Sequence, residues 1–208
     1  MEKATQPRSF VAVVVSVCFV FISQSYGAIY WWGDVQPPDP SSWTKSTDAY
    51  VGKDADGGIS VTEGDDIEAY WAYLGYNASA SGTATIDGAG SSWSCEWLSV
   101  GYAGQGSLEI SNGGNVNVTY NTWVARWEDS TGQINFDNGT LTTGGLLAAS
   151  ADLTGTGVIN THGIVSDIDL VFDSTHGTNQ TIILDSLPGQ NITINLSQDS
   201  DGSLGAGY

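Results

Sequence analysis

Short runs of alternating apolar and polar residues fill the chain, and Gly, Asn or Asp bounds almost every run. Ile59 and Val61, Leu108 and Ile110, Val116 and Val118, and Ile134 and Phe136 each set two apolar side chains two positions apart. That is the period of a strand buried on one side. No stretch keeps apolar residues at i, i+3, i+4 and i+7 over three turns, as a helix would need. The pattern predicts an all-β chain of strands about five residues long, joined by tight turns.

The runs recur as units, which begin at Tyr50, Tyr73, Ser99, Trp123, Leu146 and Leu170. A glycine precedes the second strand of a unit at Gly58, Gly82, Gly106, Gly132 and Gly157, with spacings of 24, 24, 26 and 25. Another follows it at Gly64, Gly88, Gly113, Gly139, Gly163 and Gly189, with spacings of 24, 25, 26, 24 and 26. Each unit is too small to fold alone, but stacked units share a continuous core. If each unit is one coil, the second glycine set marks a single corner line. Ile59, Ile86, Ile110, Phe136 and Ile159 then form an inward ladder. Asn112-Gly113 and Asn138-Gly139 suit corners that demand positive φ.

The motif Val100-Gly101, Gly104, Gly106, Leu108, Ile110, Gly113-Gly114, Val116 carries a resemblance, and residues 83 to 93 belong to the same pattern. The chain resembles, over about residues 49 to 196, the glycine-rich repeats of large exported bacterial surface proteins, including autotransporter passenger regions. The resemblance implies a right-handed parallel β-helix, here of about six to seven coils of 24–26 residues. It names no activity. Residues 28 to 48, with Trp31, Trp32 and Trp43 among prolines, are expected to cap the first coil. The repeat domain is expected to run from 49 to 208 and to stop within a repeat.

The N-terminus adds a location. Lys3 and Arg8 precede an uncharged stretch from Phe10 to Ile22, and Ser25 and Gly27 provide a small-residue exit. This predicts a secretory signal over residues 1–27, cleaved before Ala28. Its apolar core is too short for the roughly 20 residues that a membrane span requires. Removing it leaves Cys95 as the only cysteine, so no internal disulfide is expected. Formal charge is −18 for the full chain, with Lys45, Lys53 and Arg126 the only cations after residue 27. Such a surface argues against nucleic acid or anionic membranes as partners. The expected setting is secreted or at the cell surface, with extracellular glycans or surface proteins as partners and no membrane span in the mature chain.

Three sets of residues invite chemistry. Asp54, Asp56 and Glu63 fall at ligand positions of a calcium loop, but Gly52 stands where the first carboxylate belongs, so calcium is expected to bind weakly at most. Ser197, Asp199 and Asp201 form a fainter echo of the same loop. Asp65-Asp66 and His162 are titratable groups with no visible catalytic partner, and no catalytic residue or enzymatic activity is expected. Trp71 and Tyr76 recur one unit on as Trp97 and Tyr102, an aromatic ladder suited to sugars or to another protein. Asn77, Asn117, Asn138, Asn179, Asn191 and Asn195 each begin an Asn-x-Ser/Thr triplet that permits glycosylation. The expected role is a non-catalytic structural or adhesive module. A carbohydrate-binding module, or a polysaccharide-degrading β-helix enzyme, is the alternative.

Overall fold

The structure is a computed structural model that describes residues 28–167 and 180–197. The signal segment, Asn179, Asp199, Asp201 and the final part of the repeat domain lie outside the described residues.

Parallel strands stack coil on coil into a β-solenoid of about four turns, fewer than the six to seven expected over a longer span. One side consists of β4 (Gly57–Thr62), β6 (Ser81–Asp87), β8 (Gln105–Ser111) and the first parts of β10 (Thr131–Leu147) and β11 (Leu153–Val165). The rest of each coil runs through β3 (Asp48–Val51), β5 (Asp66–Leu74), β7 (Ser92–Val100), β9 (Asn115–Val124) and the later parts of β10 and β11. β5, β7 and β9 bend midway. In β5 the buried apolar residues are Ile67 and Ala69, then Ala72 and Leu74, and in β7 they are Trp93 and Cys95, then Leu98 and Val100. Two successive side chains therefore point outward at each bend, which gives every coil three faces.

Inward rows form as alternation demands. Val61, Ile86, Ile110 and Phe136 lie side by side in register on the first face. Ile67, Trp93, Val116, Leu141, Ile159 and Ile194 run along the second. The expected ladder is thus correct from Ile86 to Phe136 and wrong at both ends. Ile59 pairs with Ala84, one position pair along, and Ile159 belongs to another face. In the second row of that face, buried Thr143 and Thr161 replace apolar residues. Their hydroxyls donate to Gly145 O and Gly163 O, so the core keeps no unpaired group there.

The late error has one cause. Paired residues are 23 to 26 apart through most of the stack, as in Val51–Leu74 and Leu74–Val100. Ile134, however, pairs with Leu153, an offset of only 19. A short 3-10 turn (Ser150–Asp152) closes this coil instead of a longer loop. Gly157 therefore sits beside Gly139 rather than Gly132, and Gly163 beside Gly145. The leading glycine row is Gly57, Gly82, Gly106 and Gly132, with Gly57 rather than Gly58 at its start. The corner line holds for Gly64, Gly88 and Gly113, reaches Gly139 at a bulge, and excludes Gly163 and Gly189. The described part of the sixth unit is no coil. β12 (Gln180–Leu184) folds antiparallel onto β13 (Asn191–Leu196), with Gly189 in the connecting turn, and β13 alone continues the parallel stack on β11.

At the other end β1 (Ala28–Gly33) lies antiparallel on β4, and β2 (Val35–Gln36) antiparallel on β3. Trp43 is buried, its ring centroid 6.5 Å from that of Trp93, and its Nε1–H donates to Pro37 O. Residues 28 to 48 thus lie against the first coil, while Tyr30, Trp31 and Trp32 keep substantial exposure.

Candidate functional site

The corner after the third face is the same local problem solved four times. Gly52, Gly75, Gly101 and Ala125 all have positive φ, from 52° to 76°. Gly75 N donates to Val51 O, Gly101 N to Leu74 O, and Ala125 N to Val100 O, so each corner clips onto the coil before it. At Gly75 and Gly101 glycine is required twice over. A side chain would be strained by φ, and a Cβ would stand about 2 Å from the carbonyl oxygens of Gln105 and Thr131. Ala125 takes the same positive φ with a Cβ, in the coil that precedes the short turn at residues 150–152.

The residue after each corner forms a row: Lys53, Tyr76, Tyr102 and Arg126. Tyr76 and Tyr102 stack at 4.8 Å and 2°, and the Arg126 guanidinium lies 5.3 Å from the Tyr102 centroid. Lys53 sits 4.4 Å over Tyr50. A cation thus stands at each end of an aromatic row.

The rings beside this row join it into one cluster. Trp71 and Trp97 pair in register and lie parallel at 5.1 Å, and Trp123 is parallel to Trp97 at 5.5 Å. Tyr50 and Tyr73 stack at 5.0 Å, and Tyr73 meets Tyr76 and Tyr102 edge-on. The structure therefore brings Trp71, Tyr76, Trp97 and Tyr102 together. It also shows what they touch: each of the four meets three other aromatic rings. Those rings use much of their surface on one another. Burial raises the Tyr73 phenol above the ordinary tyrosine range, with Tyr50 and Asp48 adding to the effect. Tyr50 is raised for the same first reason.

Open faces remain at the margin. Trp127 is 55 % exposed, and among the described residues it meets one ring, Tyr102, in a T-shaped contact, while Tyr120 meets one, Trp97. Sequence reasoning missed Trp127, Arg126 and Trp123. The signal for Arg126 was the post-corner position, hidden because Ala125 replaces the glycine that marks it in the other coils.

The carboxylates singled out for calcium do not converge. Asp54 and Asp56 lie in the corner before β4, and Glu63 lies beyond its other end. An Asp54 oxygen accepts from Asn77 Nδ2, and an Asp56 oxygen from Ser81 N. Asp34 holds that corner instead, taking hydrogen bonds from Asp54 N and Ala55 N, which hold its carboxyl below the usual carboxylate range. Among the described residues no group of three or more His, Cys, Asp or Glu is placed to hold a metal ion. Asp65 and Asp66 lead into β5, and His162 lies within β11 rather than at a corner, its Nδ1 3.3 Å from Ser197 O. Cys95 is buried, which pushes its thiol well above the usual range. Among the described residues no helix is long and apolar enough to cross a membrane. Comparison with known protein families, curated proteins and solved structures returns no match.

Proposed function

We propose that this chain is an exported, non-catalytic β-solenoid module with a structural or adhesive role outside the cell or at its surface. The observation that carries the reading is the aromatic cluster. It ties successive coils together along one edge of the stack, on the outside, adding to the backbone ladders and to side-chain bonds between coils such as Asn77 Nδ2 to Asp54 and Ser111 Oγ to Asp87. Such a cluster stiffens a rod and presents one distinct face on a strongly acidic body. The glycine-rich repeat and the N-terminal segment Lys3 to Ala28 support the same assignment and favour a bacterial surface setting.

The test is location and adhesion measured together. Chain produced in its source cell is expected outside the cytoplasm with Ala28 at its N-terminus, and beads coated with it are expected to adhere to cells or matrix. Recovery of protein that starts at Met1 inside the cell overturns export. Polysaccharide turnover abolished by Asp65→Asn, Asp66→Asn or His162→Gln overturns the non-catalytic reading.

A further inference from the structure

We propose that the end of the aromatic cluster at Arg126 and Trp127 is a binding site for a carboxylated sugar, a hexuronate unit of an acidic polysaccharide. The inference gives the adhesive role a ligand and rests on that reading.

The first argument is charge. Only three cations follow residue 27, and the lone ion pair among the described residues joins Lys45 to Glu68 at 3.6 Å. Arg126 therefore has no acidic partner there. Its guanidinium is held by rings instead, 4.1 Å from Trp123, 5.3 Å from Tyr102 and 5.8 Å from Trp71. Aromatic contact fixes the plane of an arginine without using its N–H donors. A planar fork held in place, with no carboxylate partner among the described residues, matches the two oxygens of a ligand carboxylate.

The second argument is shape. Trp127 follows Arg126 in the chain and its ring meets the same Tyr102, centroids 6.1 Å apart; its turn is closed by hydrogen bonds, with Ser130 N and Oγ both donating to Trp127 O and Trp127 N donating to Ser130 Oγ. An exposed indole offers a flat apolar surface, which suits the C–H face of a pyranose ring. A uronate carries that face and a carboxylate on one ring, whereas an acidic peptide lacks the flat face. Next to Arg126 a groove of about 290 Å³ is walled by Trp123, Leu147, Ala148 and Val165. Asp167 also lines it. Its carboxylate accepts from Ser150 N and Oγ and disfavours an anion in that part of the groove.

The experiment titrates the full chain with oligogalacturonate, and with its methyl ester as the neutral control, by calorimetry at physiological salt. There the screening length of about 8 Å mutes the distant acids. The acid form is expected to bind and the ester to bind at least tenfold more weakly, the worth of one charge-assisted contact. Arg126→Gln and Trp127→Ala should each cost about tenfold with an unchanged urea midpoint, and Asp167→Asn should tighten binding. Arg126→Lys, which keeps the charge and loses the fork, should fall in between and covers the case of a misfolded glutamine variant. Equal binding of ester and acid, or no binding by the wild type at millimolar ligand, overturns the site. Adhesion that persists in Arg126→Gln would leave the adhesive reading standing while this inference falls.

Discussion

Ser99 stands in register with Trp123 on the outward side of the third face, yet its side chain is completely buried and its hydroxyl has no hydrogen-bond partner among the described residues. The small side chain follows Tyr73 in the same outward row, so it leaves a gap between two large rings that the surrounding aromatics close over. A buried hydroxyl without a partner costs roughly 1–3 kcal/mol. Ser99→Ala is therefore expected to stabilise the chain by about 1 kcal/mol, seen as a higher urea midpoint with an unchanged slope. A lower midpoint would show that the hydroxyl is satisfied.

Phe136 fits because the next coil makes room for it. A Cβ on Gly157 would come 2.6 Å from the Phe136 ring, and φ at Gly157 is ordinary, so the constraint is space alone. Gly157→Ala should destabilise by about 1–3 kcal/mol through overpacking. Phe136→Leu should cost about 1 kcal/mol alone. The two together should cost less than their sum, and a double-mutant cycle by chemical denaturation measures the difference. Strict additivity would place Gly157 away from the ring.

The tyrosines give the fold an alkaline limit. Tyr73 has its phenol raised by burial, so the folded state favours the neutral form and the unfolded state ionises near the ordinary value of 10.0. This contribution is intact below about pH 10 and is lost as pH rises from there toward the folded value. The melting temperature should hold steady from pH 7 to 9 and drop above pH 10, with a shallower drop in Tyr73→Phe. Identical profiles for the two proteins would dismiss Tyr73 as the cause.

Cys95 is buried, at 5 % exposure, and its thiol is shifted upward by burial first and by Glu96 second. With Cys18 replaced by alanine, a thiol reagent at pH 8 should leave the native chain unmodified for hours and label it stoichiometrically in guanidinium. Rapid labelling of the native state would mean that the core near Ala69 and Val118 opens readily.

Alternation and corner glycines were legible in the sequence because each solves a local problem. A strand with one buried face must alternate, and a corner with positive φ favours glycine wherever it falls. That is why the row from Ile86 through Ile110 to Phe136, and the Gly82–Gly106–Gly132 line, could be drawn without coordinates. What lies beside what in the last coil could not. The 3-10 turn at residues 150–152 shortens one circuit to an offset of 19, and every later neighbour shifts with it, moving Ile159 to another face. The paired recurrence of Trp71 with Trp97 and of Tyr76 with Tyr102 was visible as spacing. Only the stacked coils showed that those rings meet one another and that Arg126 and Trp127 stand at their open end. Spacing along a chain states which residues are equivalent, and the closure length of each coil decides which of them touch.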